Sequence, residues 1–282
     1  MIHCKNVEKS FGNKKVLDGI SFDISKGQIF GLLGPSGAGK TTLIKILTGQ
    51  IPFDGGTVKV SGKDVSKLNG KDKKRFGIMM DNFGLYERFS CGDNLAVYAD
   101  LYGVPKTRIK KILEDVGLAD SYQKQASDLS KGMRARLQLA RAFMSDPEII
   151  FLDEPTSGLD PQTMKSVHKI ILDKKESGCT IFLTTHNMEE ATKLCDNVIL
   201  LNEGKIVEEG TPDQICRRYD HIKRIRLHMT DGADVELERN DDTADKICEL
   251  LKSGKIETIH SSEPTLETVF LELTGRNLQE AV

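Results

Sequence analysis

Gly34-Pro35-Ser36-Gly37-Ala38-Gly39-Lys40-Thr41-Thr42 follows the apolar run Gln28-Ile29-Phe30-Gly31-Leu32-Leu33 and leads into the helical pattern Leu43-Ile44-Lys45-Ile46-Leu47. A strand, a glycine-rich turn and a helix in that order make a phosphate cradle, the P-loop. The glycines let successive backbone N–H groups turn toward the α- and β-phosphates of a nucleotide. Lys40 reaches the β- and γ-phosphates, Thr41 is placed to ligate Mg²⁺, and the new helix points its positive end at the anion. The alternative, a glycine-rich turn with no ligand, does not account for the full G-x-x-x-x-G-K-T pattern in this setting.

Outward from the P-loop, Glu148-Ile149-Ile150-Phe151-Leu152-Asp153-Glu154 reads as a central parallel strand whose C-terminal edge meets a ligand. Two adjacent acids at the end of a buried strand are costly unless used. Asp153 therefore reads as a Mg²⁺ partner through water, and Glu154 as the base orienting an attacking water. A second buried strand, Cys179 to Thr184, ends just before His186, which stands where ligands gather in α/β sheets and reads as a γ-phosphate contact.

The flanking segments are readable too. Ile2 to Val7 and Val16 to Ile24 alternate apolar and polar around Phe11-Gly12-Asn13, as two antiparallel strands joined by a turn. Phe11 either stacks on an adenine ring or is a strand-end core aromatic. Thr57 to Val60 and Arg75 to Met80 read as strands, the second ending at Asp81. Asn94 to Tyr102 and Pro105 to Val116 read as helices, and a third opens after Asp128-Leu129 with Ser130 as N-cap. Pro161 to Lys175 is helical, and Val198 to Asn202 pairs with Lys205 to Glu209 across Glu203-Gly204.

From about residue 217 the texture changes. Ile222 to Met229 and Val235 to Leu237 alternate like a hairpin across Asp231-Gly232, Asp241 to Leu251 is helical, and Leu266, Val269, Phe270 and Leu273 recur at helical spacing before Gly275. A small appended domain is expected, its last helix packing on its own small core or on a partner.

With 282 residues, 38% hydrophobic and 29% charged, the chain is long enough to bury a full core and a second, smaller one. A net charge of -2, with no basic run beyond Lys71-Asp72-Lys73-Lys74-Arg75, argues against nucleic acid as a partner. No apolar stretch approaches a membrane span, and Met1-Ile2-His3-Cys4-Lys5 lacks a signal-peptide core, so a cytosolic protein able to dock on a membrane protein is expected. The six cysteines form no C-x-x-C pair or zinc spacing and read as free thiols. His3, His168, His221, His228 and His260 sit in no metal-ligand array and read as ordinary surface or core histidines.

Taken together, these motifs resemble the ATP-binding subunits of ABC transporters. The resemblance covers residues 1–216: an A-loop aromatic (Phe11), Walker A (Gly34 to Thr42), the signature Leu129-Ser130-Lys131-Gly132-Met133, Walker B (Ile149 to Asp153) with the catalytic Glu154, the D-loop Ser157-Gly158-Leu159-Asp160 and the switch His186. It implies an α/β P-loop NTPase: a nucleotide-binding domain, 1–216, with an antiparallel β subdomain and an α-helical subdomain. Residues 217–282 would form a small C-terminal α+β domain.

It further implies ATP and Mg²⁺ as ligands and catalysis by Glu154 and His186. The cofactor-binding residues would be Phe11, Gly34 to Thr42, Ser130, Gly132 and Asp160, and the metal would be held by Thr41, Asp81 and Asp153. Two such domains would meet head to tail, as a nucleotide-dependent homodimer or with a paired ATPase subunit. Each ATP would lie between Walker A of one subunit and the Ser130–Gly132 segment of the other. The partner would be a multi-span permease contacted near Phe83 to Tyr102, with the chain peripheral on the inner face of the cell membrane.

Two departures stand out. Asp81 replaces the family's usual glutamine, and the signature has Lys131 and Met133 in place of glycine and glutamine. That signature, Gly84-Leu85-Tyr86-Glu87-Arg88, and Glu263-Pro264-Thr265-Leu266-Glu267-Thr268-Val269-Phe270 are similar to the drug-resistance branch, which includes bacitracin- and lantibiotic-export ATPases and is similar to daunorubicin-resistance subunits. An ATPase powering a separate exporter of drugs, peptides or lipids is therefore expected. A soluble ABC ATPase acting on ribosomes or nucleic acid is the alternative, disfavoured by the single nucleotide-binding domain and the lack of inserted coiled coils. A degenerate, non-hydrolysing subunit rests on Asp81 alone.

Overall fold

The computed structural model describes residues 1–80, 84–220, 224–238, 241–262 and 264–275. The chain begins with β1 (Ile2–Phe11), β2 (Lys14–Ile24), β3 (Ile29–Leu33), α1 (Lys40–Leu47), β4 (Gly55–Val60), β5 (Lys63–Asp64), α2 (Gly70–Lys73) and β6 (Phe76–Met79). It continues through α3 (Cys91–Tyr102), α4 (Arg108–Asp115), α5 (Lys131–Ala142), β7 (Ile149–Asp153), α6 (Pro161–Glu176), β8 (Thr180–Thr185), α7 (Met188–Leu194), β9 (Asn197–Asn202), β10 (Lys205–Gly210) and α8 (Pro212–Arg218). It closes with β11 (Arg224–Met229), β12 (Asp234–Glu238), α9 (Asp241–Lys252), β13 (Ile256–Ser262) and α10 (Leu266–Thr274).

These strands form three sheets. The central one has the order β10-β9-β3-β8-β7-β6, parallel except for the edge strand β10; an antiparallel sheet β2-β1-β4-β5 and a small sheet β12-β11-β13 complete the set. Because side chains alternate along a strand, each central strand feeds two cores. Ile29, Leu33, Ile150 and Leu152 join a core with the helices α3 to α8, while Phe30, Leu32, Ile149 and Phe151 join one with α1 and the antiparallel sheet.

In the second core an aromatic row runs Phe22, Phe30, Phe182, Phe151, Phe76, with successive ring centroids between 5.3 and 6.1 Å apart. It fixes β7 against β8, whose C-terminal ends carry Asp153 and Thr184.

Helix starts differ from the sequence reading at α3 and α4. α3 starts at Cys91 because Ser90 Oγ accepts from the Asp93 N–H. α4 starts at Arg108, after a turn in which the Arg108 N–H bonds back to the Pro105 carbonyl. α5 begins where expected, with Ser130 Oγ accepting from the Met133 N–H at 3.2 Å.

α10 carries the expected apolar face and ends on Gly275 in the left-handed region. That face is not in a small core of its own. Leu266, Val269 and Phe270 are buried in the main helical core, against α7 and α8, beside Leu194 and Ile215.

Candidate nucleotide site

The P-loop leaves β3, buried along its whole length, and enters α1 through Gly39. Gly39 has φ 113°, and a Cβ there would lie 2.9 Å from the Val16 carbonyl oxygen, so the turn admits no side chain. At Gly34 a Cβ would lie 2.3 Å from the Leu201 carbonyl oxygen. The first turn of α1 has no acidic residue, so its free N–H groups keep their positive potential.

Lys40 is 7% exposed and curls back over the loop, donating to the carbonyls of Gly34 at 2.7 Å and Pro35 at 3.2 Å. Its ammonium also lies 3.2 Å from Glu154 Oε1. The neighbouring hydroxyl of Thr41 donates to Asp153 Oδ2 at 2.8 Å, and Thr184 donates to the other oxygen of the same carboxylate.

Glu154 sits at φ 51°, a left-handed conformation that costs a non-glycine residue about 1–3 kcal/mol and persists only where surroundings hold it. Its N–H bonds to the Thr184 carbonyl at 3.0 Å, and its own carbonyl accepts from Ser157 N–H at 3.1 Å. His186 Nδ1 meets Oε2 at 2.7 Å. Burial alone would push the Glu154 carboxyl up, but the His186 hydrogen bond and the charges of Lys40 and His186 outweigh it and hold the group below its ordinary value. The same hydrogen bond, with the Glu154 charge, raises His186.

The donor set suits a hard cation. Among the described residues no group of three or more His, Cys, Asp or Glu side chains is arranged to cage a metal. Thr41 and Asp153 offer instead an all-oxygen pair, the kind that fits Mg²⁺ sharing its coordination with water and phosphate. Asp81, the third expected ligand, lies outside the described residues.

The remaining expected residues are spread around this centre. Phe11 is 52% exposed at the β1–β2 turn, with Lys9 Nζ 5.2 Å from its ring, so it is not a core aromatic. Asp160 caps α6, accepting from the N–H groups of Gln162 and Thr163, and the Thr163 hydroxyl, followed by these N–H bonds, holds its carboxyl below the usual range. A Cβ on Gly132 would lie 2.3 Å from Thr163 Cγ2, so α5 and α6 are in close contact there. Among the described residues no hydrogen bond or ion pair joins Ser130 or Gly132 to the P-loop.

A cleft of about 370 Å³ separates the start of α5 from the carboxylate edge, lined by Lys131, Arg134, Gln138, Asp153, Glu154 and Ser157. Thr184 has no sequence signal beyond its place at the end of β8.

Residues 17–157 match the ABC transporter family. Among curated proteins, a linearmycin resistance ATP-binding protein of Bacillus subtilis (strain 168) is 32% identical over 99% of this chain and 100% of its own. A fluoroquinolones export ATP-binding protein of Mycobacterium tuberculosis is 39% identical over 92% of this chain and 88% of its own. A Nod factor export ATP-binding protein of Burkholderia lata is 34% identical over 99% and 98%. Among solved structures, an ATP-binding subunit of an ABC transporter superposes with a TM-score of 0.70 at 26% identity, covering 78% of this chain and 93% of that one. The ADP conformation of an ABC transporter cassette gives 0.68 at 25% identity, covering 76% and 92%.

Proposed function

The chain belongs to the ABC transporter family, as an ATP-binding subunit of its drug-resistance export branch, and on that premise we propose how its residues bind and hydrolyse ATP to drive a separate membrane permease. The observation that carries the reading is the Glu154 carboxylate held between Lys40 at 3.2 Å and His186 at 2.7 Å, beside the P-loop.

In this reading Gly34 to Thr42 wrap the phosphates, the backbone N–H groups of Ser36 to Thr42 cradling them, Lys40 supplies the cation for the β- and γ-phosphates, and Phe11 stacks on the base. Thr41 and Asp153 hold Mg²⁺, which when bound neutralises charge on the phosphate oxygens. Glu154 orients the attacking water and takes its proton, its carboxylate kept ionised by the neighbouring cations. His186 fixes that carboxylate and reaches the γ-phosphate.

Ser130 and Gly132 lie at the start of α5 without a tie to their own P-loop, which supports their serving the ATP of a second ATPase subunit, with Asp160 at the same interface. A γ-phosphate bridging two subunits would close them, and hydrolysis would let them part.

Residues 1–216 carry this chemistry, and the last described helix, α10, packs back onto their core. Tyr86 and Phe89, 50% and 42% exposed, lie tilted against each other with ring centroids 5.2 Å apart, and Leu101, 64% exposed, lines a groove of about 720 Å³ with Lys71, Lys74, Phe76 and Ile78. Exposed apolar side chains along residues 86–101 support docking of the permease on this stretch. No helix among the described residues is long and apolar enough to cross a membrane, which fits a chain peripheral on the inner face of the cell membrane. The cargo class is a drug, peptide or lipid.

The test is capture of the tagged Glu154→Gln chain, with ATP and Mg²⁺, from detergent-solubilised membranes of its own host. A stoichiometric multi-span protein is expected. Ribosomal or DNA-repair proteins in its place would overturn the partner assignment.

A further inference from the structure

Glu190 takes no part in the chemistry above, yet it is 1% exposed. Its Oε1 accepts from Thr156 Oγ1 at 2.6 Å and lies 3.0 Å from His168 Nε2, while Oε2 has no hydrogen-bond partner among the described residues. A buried carboxylate with one oxygen bare is poorer for stability than an apolar side chain of similar volume. Its value must therefore lie in what it joins.

The three side chains come from three segments of the site. Thr156 follows Glu154 by two residues, Glu190 follows His186 by four, and His168 stands on α6, the helix capped by Asp160. The Glu190 N–H also bonds to Asn187 Oδ1 at 3.0 Å, closing the cap of α7 directly after His186, and the Asn187 N–H bonds to Thr185 Oγ1 at 3.0 Å. One residue thus ties the backbone behind His186 to the backbone behind Glu154.

Both ends need such a tie. The His186 side chain is 52% exposed, so packing does not fix it, and the Glu154 turn is held in the left-handed region. We propose that Glu190 is a positioning residue for ATP hydrolysis, a buried bridge to Thr156 and His168 that holds Glu154 and His186 in register and links both to α6. This rests on the hydrolytic reading of Glu154 given above.

The experiment compares single-turnover ATP hydrolysis and ATP affinity in the full-length chain for wild type, Glu190→Ala, Glu190→Gln and Thr156→Val, each also in a His186→Ala background. Glu190→Ala is expected to slow hydrolysis at least tenfold with ATP affinity within twofold of wild type. Glu190→Gln, which still accepts from Thr156, restores most of the rate. In the His186→Ala background Glu190→Ala adds no further loss, because both act through one contact.

A folded Glu190→Ala chain with a rate within twofold of wild type, or losses that multiply with His186→Ala, would overturn the proposal. Where Glu190→Ala does not fold, Thr156→Val, which removes only the hydroxyl, decides by the same outcomes. A wild-type chain without hydrolysis overturns the functional reading and this inference together. An active wild type that Glu154→Gln silences and Glu190→Ala leaves intact overturns this inference alone.

Discussion

His186 and Glu154, 32 residues apart in the chain, meet at 2.7 Å through Nδ1 and Oε2 where β8 and β7 end side by side. The contact joins a half-exposed imidazole to a mostly buried carboxylate, and it shifts both groups. Removing the carboxylate charge is the direct way to probe it. Glu154→Gln is expected to slow hydrolysis by about 10²–10⁴-fold, the usual contribution of a positioned base, while ATP still binds. Rapid-quench single turnovers measure the rate, and gel filtration with ATP and Mg²⁺ is expected to show a trapped dimer.

The titration of His186 has a definite sign. Its folded value is raised above the ordinary 6.5, first by the hydrogen bond to Glu154 and then by that group's charge. Its contribution to stability is therefore complete below the ordinary histidine value and lost as pH rises through the raised one. In the nucleotide-free protein, the melting-temperature difference between wild type and His186→Ala should be larger at pH 6 than at pH 9. NMR titration should show the His186 midpoint falling in Glu154→Gln.

Lys40 is the cation shared by the loop carbonyls of Gly34 and Pro35 and by Glu154. Lys40→Ala is expected to weaken ATP binding by tenfold or more, since it removes a charge-assisted phosphate contact. Equilibrium binding of a fluorescent ATP analogue measures this, and unchanged affinity would count against the P-loop reading.

Phe270 is fully buried in the main helical core although it lies in the last described helix. Phe270→Ala should cost about 3–5 kcal/mol. Because α10 packs on α7 and α8, the loss should appear in the transition of the whole chain under urea, not in a separate melting of the C-terminal part.

Much of this was legible beforehand. The P-loop, the Asp153-Glu154 strand end, the Ser130 cap and the Glu203-Gly204 hairpin are each set within about ten residues, by glycine conformation, strand hydrophobicity and capping chemistry. Alternation and spacing also marked the face that α10 buries. They carried no information about which surface would receive it.

What the sequence determined by itself is therefore local: a phosphate cradle, a pair of strand-end acids, a histidine past a buried strand and the order in which they occur. Only the tertiary structure decided which atoms meet. The parallel register of β7 on β8 puts Thr184 on Asp153, and the packing of α6 and α7 brings His168 and Glu190 to Thr156. The aromatic row between the layers holds that register, and the seat of α10 is fixed by neighbours remote in sequence. Such contacts depend on strand order and helix packing, which bring together residues that no short-range pattern relates.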